Sequence, residues 1–325
     1  MATSQELVKR WLDSSATNLR RAVTGWLIYG EATPPDLAQV DGLIDLRGFT
    51  PVDPHYFGSR SRDAASDARG GILTVRDRTI SRVDLSGARL QNTRMENLTL
   101  ENCRVDGAYL GGSAFRSSRI SDSSFVRARM NGSLLSGGED GPTIWEHVDF
   151  GLSDLRQSFA TGGIFIGCNF DSVRMKGFRF NQCDVRATRF TGVMLDVLFD
   201  GRPLRNAPAS QPLRDVDFSA AEFDGVDFRD CEFDGVTLPG GHRILLIDNF
   251  PPVAKRPYEL ASASNSQYAR GFKLRWEASV KAPGRAAAVG VEFLGEYTNP
   301  ELAAFSESLL RKAAEQEGAQ VTYIP

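Results

Sequence analysis

A stacked-repeat architecture with a different kind of segment at each end is the fold class this sequence predicts, on three observations. From Val83 to Leu135 an apolar residue stands at every fifth position: Leu85, Leu90, Met95, Leu100, Val105, Leu110, Phe115, Ile120, Phe125, Met130 and Leu135. Two residues before each sits a small or compact one, among them Val83, Ala88, Thr93, Cys103, Ala108, Ser113 and Ser133. The pattern then returns twice, as Phe150, Leu155, Ala160, Phe165, Phe170, Met175, Phe180, Val185, Phe190 and Leu195, and in shifted phase as Phe218, Phe223, Phe228, Phe233 and Leu238. A helix repeats at about 3.6 residues and a strand at about 2, so a strict period of five fits neither and marks an internal repeat.

Val83-Asp84-Leu85-Ser86-Gly87 and Cys103-Arg104-Val105-Asp106-Gly107 resemble the units of the pentapeptide-repeat family, whose pattern is close to A(D/N)LXX. The resemblance runs over roughly half the chain. It implies a mainly β fold, a right-handed quadrilateral β-helix in which each unit forms one side of a square coil. The central apolar residue and the small residue two before it then point inward, and the other three face solvent. Backbone groups pair with the coils above and below, as in parallel strands. At four units per coil, about 26 units give about 6.5 coils and a rod of roughly 30 Å at ~4.8 Å per coil. Such a solenoid needs both open ends covered.

At 325 residues the chain has room for two or three domains. A net charge of −3 and 41% hydrophobic residues argue against general disorder and against a globally basic nucleic-acid binder. No apolar run approaches the roughly 18 residues of a membrane span, and the acidic start Met1-Ala2-Thr3-Ser4-Gln5-Glu6 does not read as a signal peptide. The expectation is a cytoplasmic protein. Cys103, Cys168, Cys183 and Cys231 each lie two residues before a central apolar residue, where the pattern wants a small inward side chain. With no CxxC spacing they read as packing residues, neither metal ligands nor redox groups.

Residues 1–70 read as an N-terminal helical cap and linker. Leu7, Val8, Trp11 and Leu12 fall on one helical face, and Leu19, Ala22, Val23, Trp26 and Leu27 on a second. Gly58 to Gly71 has linker composition, and Val75 and Ile80 already keep the five-residue phase. The β-helix is placed at residues 71–240, with interruptions at 136–147 and 199–213. The first spans a multiple of five, so the phase survives whether it is extruded or folded in. The second holds Pro203, Pro208 and Pro212 and is assigned the phase shift.

Residues 241–325 read as an α+β domain. Ile244 to Asp248 suits a strand. Lys273 to Lys281 alternates, with Leu274, Trp276, Ala278 and Val280 on one side, so Lys273 to Tyr297 is expected to form a hairpin around Pro283-Gly284. Asn299, Pro300, Glu301 and Gly318 bracket a helix with Leu302, Phe305, Leu309 and Ala313 on its core face, before a last strand at Val321 to Ile324. With a helix over 253–264, which Pro257 opposes, the order would be βαββαβ, a ferredoxin-like arrangement.

Chemistry is sparse. His55, His147 and His242 lie apart with no HxxxH or HExxH spacing, and Gly162-Gly163 to Gly167 lacks the Lys-Ser/Thr of a phosphate loop and suits coil corners. Asp217, Glu222, Asp227 and Glu232 fall five apart, which on a square coil makes a belt that does not converge on a metal. Neither a cofactor nor a catalytic residue is expected.

The leading reading is a non-catalytic scaffold for an unidentified protein partner. Its candidate interface is Phe159, Ile164 and Ile166, apolar at outward positions, with Ile144 and Trp145 of the first interruption as the nearest candidates to cover them; a homodimer or partner site at this patch is the alternative to that cover. The resemblance implies another function, binding DNA gyrase or topoisomerase as a DNA mimic. Mimicry needs acid stacked along the rod. Here Asp84, Arg104 and Ser124 stack on one side and Arg89, Tyr109 and Arg129 on another, so gyrase is not favoured and nucleic acid is not expected. An effector or enzyme activity in the C-terminal domain is the third reading.

Overall fold

The computed structural model describes residues 4–52, 73–138, 140–202, 211–281 and 289–325. Units 20 residues apart pair in parallel, as in Thr74↔Arg94, Val75↔Met95 and Arg76↔Glu96. The result is a rod with four sides. Side one is an eight-stranded parallel sheet from Thr74–Arg76 to Asp227–Arg229, and side two a second from Thr79–Ser81 to Cys231–Asp234. Sides three and four are held by single bridges such as Asp84↔Arg104 and Arg89↔Tyr109, and by the longer strands Arg189–Leu195 and Asp217–Asp224.

The repeat pattern explains the coil residue by residue. The central side chain enters the core: Leu85, Leu100, Phe115, Phe125, Phe165, Phe170, Phe180, Phe190, Phe218 and Phe223 are buried, and Leu90, Phe228 and Phe233 partly so. The corner two residues later takes a left-handed backbone, as at Asn92, Asn97 and Asn102 (φ 55°, 52° and 51°), a conformation that Asn, Asp and Gly tolerate best. At the small inward position a serine hydroxyl accepts from a backbone N–H of the coil before. Ser113 does so from Thr93 (3.1 Å), Ser118 from Leu98 (3.1 Å) and Ser123 from Cys103 (3.0 Å), which satisfies amides that side-to-side pairing leaves over. From Phe150 onward the core is a ladder of rings. Phe150, Phe170, Phe190 and Phe218 stack at 4.8, 4.7 and 4.9 Å, the coil spacing itself.

Both interruptions differ from expectation. Across the first, partners are 25 residues apart (Leu134↔Phe159, Arg119↔Ile144) against 20 elsewhere. Five residues are therefore extruded in a turn closed by the bridge Gly138↔Gly141, and five are folded in. Trp145 is the central residue of the folded-in unit. The phase shift of the second starts before Phe199, because Met194 takes the inward place expected of Leu195 and is 1% exposed. One residue is missing there: Arg179 pairs with Leu198, 19 residues on. The chain then gains residues before Leu213, whose partner is Val185. Residues 203–210, with Pro203 and Pro208, lie outside the described residues, as do the 58–71 linker and His55.

The N-terminal helices Ser4–Leu12 and Thr17–Thr24, the second continued by a wider turn over Gly25–Tyr29, close the first coil through Trp11, Val23, Leu27 and Ile28. Leu12 and Leu19 are exposed, so the docking stripe is narrower than the apolar face read from sequence. Between helices and rod lies a piece of coil that the linker assignment missed. Leu43–Asp45 pairs in parallel with Val83–Asp84, and Leu46 and Phe49 are buried beneath the helices. Ile44-Asp45-Leu46-Arg47-Gly48 repeats the form of Val83-Asp84-Leu85-Ser86-Gly87, so the signal was present. Asp45 is the clasp: it accepts from Arg10 (2.7 and 2.9 Å) and Arg47 (2.9 and 3.0 Å). Trp11 Nε1 donates to the Arg47 carbonyl at 2.9 Å.

At the other end a three-stranded antiparallel sheet, with Ile244–Asp248 between Val289–Phe293 and Val321–Ile324, covers the last coil. Ile244 and Phe293 face the rod, where Phe293 meets Phe223 at 6.0 Å; Leu245 and Ile247 face the helices. The helix Pro300–Glu317 has Asn299 as its N-cap and Gly318 at its end. The expected hairpin is wrong in its first half, since Ala269–Lys281 is a helix. Its buried residues Ala269, Phe272 and Trp276 are spaced three and four apart, a period that outweighs the alternation seen from Lys273, and Leu274 is 66% exposed. Pro257 sits in the first turn of Arg256–Ser262, where a missing N–H costs nothing. With three helices before the second strand (Phe250–Val253, Arg256–Ser262 and Ala269–Lys281) and three strands among the described residues, the ferredoxin-like order does not hold.

Candidate interaction surface

What the rod presents outward is decided by the residues on either side of each inward one. Part of its charge is paired locally. Carboxylate and guanidinium two residues apart in the chain pair at 2.6 Å in Asp154–Arg156, 2.5 Å in Asp200–Arg202 and 2.6 Å in Asp227–Arg229, and Asp184–Arg186 does the same. Others pair between coils, as in Arg76–Glu96, Arg119–Glu146 and Arg189–Asp217 (3.7 Å). Side chains that neutralise one another in this way leave little long-range field. Asp217, Glu222, Asp227 and Glu232 lie on four different sides, and no metal-holding group of His, Cys, Asp or Glu occurs among the described residues.

The apolar candidates divide. Phe159 is outward and 43% exposed on side one, paired with Leu134 on one flank and Arg179 on the other. Ile164 and Ile166 are outward and half-buried on side two, where Ile144 pairs with Ile164 and Glu146 with Ile166. Trp145 does not belong with them. It is 0% exposed, at the centre of the coil, with its ring stacked 6.3 Å from Phe165 and edge-on to Phe115 at 5.0 Å, so it neither covers the patch nor contributes to an interface. Leu134 and Ile144 extend the patch along the rod. Sequence reasoning named Ile144 as a cover for the patch and missed Leu134, because the five-residue insertion hides which units are neighbours.

The remaining chemical groups are enclosed, except His147 at the surface. All four cysteines are free and buried; burial pushes the Cys103 thiol up to about 11 and Cys168 and Cys183 up to about 12. His147 lies 3.3 Å from Asp122 at a corner, and His242 Nε2 accepts from the Phe223 N–H at 3.3 Å, pinning the C-terminal sheet to the last coil. The most enclosed ionisable cluster is in the C-terminal domain. Burial raises the Glu292 carboxyl above its usual range, while Tyr297 Oη donates to it at 2.7 Å and Arg275 at 3.2 Å. Each of these groups is engaged by the others, which suits a clasp between the helix and the sheet. Among the described residues no helix is long and apolar enough to cross a membrane.

A pentapeptide-repeats family model matches residues 80–116 and 213–241, with eight copies. Among solved structures, a trypsin-treated form of QnrB1, a plasmid-mediated fluoroquinolone resistance protein, is 15% identical over 51% of this chain and 81% of its own, with a TM-score of 0.31. HetL, a pentapeptide repeat protein involved in heterocyst differentiation regulation in the cyanobacterium Nostoc sp. strain PCC 7120, is 16% identical over 57% of this chain and 97% of its own, with a TM-score of 0.22. No curated protein matches the chain. The five-residue period, the stacked four-sided coils and the matching family model agree that this chain contains pentapeptide repeats, with the family model itself matching residues 80–116 and 213–241.

Proposed function

We propose that the protein is a non-catalytic scaffold that binds another protein through the outward apolar patch on sides one and two. The observation that carries this reading is the exposure of Phe159 next to Leu134, with Ile144 and Ile164 in register on the adjacent side and the only nearby tryptophan committed to the core. Apolar outward positions are costly in a rod whose outward residues are mostly polar or charged, and contiguous patches of this kind mark protein contacts. A rigid solenoid capped at both ends suits display better than chemistry, since its inward groups are sealed and its outward ones do not converge.

The test compares wild type with Ile164→Asp and Phe159→Asp as immobilised baits in host extract, followed by titration of any purified partner. A partner lost by both variants, with thermal unfolding unchanged, is the expected result. A partner retained by both, or none captured by wild type, would overturn the reading. Binding of gyrase as a duplex mimic is disfavoured by the paired charge, so supercoiling is expected to be unaffected at low micromolar protein.

A further inference from the structure

Side four differs from the other sides in that its charges are segregated along the rod. Through Arg129, Arg156, Arg174 and Lys176 its middle coils carry four cations against one acid, Asp154. Asp154 is itself bracketed by Arg156 at 2.6 Å and Arg174 at 3.6 Å. One coil further on, Val193 is 52% exposed and Leu195 half-buried. In the next coil Glu222 pairs with Val193 and Asp224 with Leu195, and this end of the side has no cation. Among the described residues Lys176, Glu222 and Asp224 are exposed and have no ion-pair partner.

We propose that side four is a self-complementary surface on which a second copy of this chain docks antiparallel. The two-fold axis lies in the interface at the coil of Val193. Rotation about it sets Val193 against its own copy and places the coil before the axis opposite the coil after it. Arg174 then faces Glu222 of the second copy and Lys176 faces its Asp224, each contact made twice, as in any isologous interface. A parallel pair would set cation on cation and acid on acid, so charge selects the antiparallel one. The three contacting coils span about 14 Å at ~4.8 Å per coil, below the size of permanent interfaces, so association is weak and concentration-dependent. A polyanion such as duplex DNA is the lesser candidate, because the acidic coil at the end of the same side repels it. The surface is separate from the patch on sides one and two, and either can fail without the other.

Sedimentation equilibrium of the full chain is the experiment. Wild type should dimerise, with the dissociation constant raised at least about tenfold between low salt and ~0.5 M salt, where the Debye length has fallen to a few Å. A variant with Arg174→Glu and Lys176→Glu and a second with Glu222→Lys and Asp224→Lys should each be monomeric alone. Mixed, they should form a heterodimer, because both sets of contacts become opposite in sign again. All four positions are outward, and far-UV circular dichroism checks each fold; Val193→Arg, which sets two cations together on the axis, is an independent disrupter. A monomeric wild type, a dimer that survives both charge variants and Val193→Arg, or folded variants that do not recombine would each overturn the proposal. So would a monomeric wild type that binds duplex DNA through Lys176.

Discussion

The first three coils and the last five solve the same packing problem with different side chains. Before Phe115 the inward residues are Leu, Met, Val and Ile, and between the N-terminal helices and Phe125 they leave an apolar cavity of about 40 Å³, lined among others by Leu27, Phe49, Val75, Met95 and Val105. From Phe150 on, phenylalanines stacked in register fill the coil: Phe180 lies 4.6 Å from Phe199 with rings parallel to 2°, and Phe199 lies 5.0 Å from Phe228. Rings offset from one another repeat at the coil step, with centroids 4.6–5.0 Å apart, so the same residue can recur without strain. A branched aliphatic side chain has no such match, and the aliphatic coils close less completely.

The largest expected effect lies in the aromatic half. Phe180→Ala removes a ring that meets Phe165, Phe170, Phe190 and Phe199, and should cost about 3–5 kcal/mol in denaturant unfolding. Leu110→Ala beside the cavity should cost about 2–3 kcal/mol, because its surroundings are already loosely filled. Equal losses at the two sites would dissolve the distinction between the halves.

Next in size is the cap that seals the aliphatic end. Burial alone would raise the Asp45 carboxyl, but the hydrogen bonds from Arg10 and Arg47 outweigh it and hold the group well below the usual carboxylate range. The sign follows: a depressed folded-state pKa contributes stability that is complete above the unfolded value of about 4 and is lost as pH falls through the folded one. Arg10 is 36% exposed, so Arg10→Met should cost about 1–2 kcal/mol and not the 3–5 kcal/mol of a fully buried pair. The loss should be present at pH 7 and vanish at low pH, read as protease sensitivity of the N-terminal helices.

Corners give a smaller contrast. The aliphatic coils turn on Asn92, Asn97 and Asn102, whereas the middle of the rod turns on Leu152 (φ 58°), 43% exposed in a backbone region that suits asparagine better. Leu152→Asn should therefore stabilise the rod by about 0.5–1 kcal/mol in thermal melts, and a loss would mean that Leu152 is engaged by a partner.

How much of this was legible in sequence follows from where a residue gets its instructions. The repeats were legible because each unit repeats the same local rule, and one register fixes all. Trp145 obeyed that rule, being ten residues after Leu135, yet the glycine-rich, acidic run before it left open whether the stretch is extruded or folded in. Only the pairing of Leu134 with Phe159 shows that half the run is folded in. Met194 in place of Leu195 was hidden because both are apolar, and a one-residue deletion reads as continuity until the next unit. Helix Ala269–Lys281 was misread because alternation and helical period coincide over a few residues; the deciding partners, Ala254 accepting from Trp276 Nε1 at 2.9 Å and Phe272 against Phe305, come from outside the segment. The candidate surface was half visible: Phe159, Ile164 and Ile166 break the outward rule in sequence, but their neighbours depend on an insertion length that sequence leaves open.

The sign of one further effect tests the cavity itself. Thr93 occupies the small inward position of its unit, lines the cavity, and its Oγ1 is buried without a hydrogen-bond partner among the described residues. Its backbone N–H is bonded to Ser113, so the hydroxyl alone is unsatisfied. A water could in principle enter a space of this size, but it needs two to four polar partners, and Thr93 Oγ1 is the one side-chain hydroxyl lining an otherwise apolar wall. The cavity should therefore be dry. In a dry cavity Thr93→Val keeps the shape, exchanges an unpaired hydroxyl for a methyl group, and should raise stability by about 1 kcal/mol in denaturant titration. In a wet one the same substitution would strip a water of its anchor and lower stability, so the sign of the shift distinguishes an underfilled aliphatic coil from one completed by solvent.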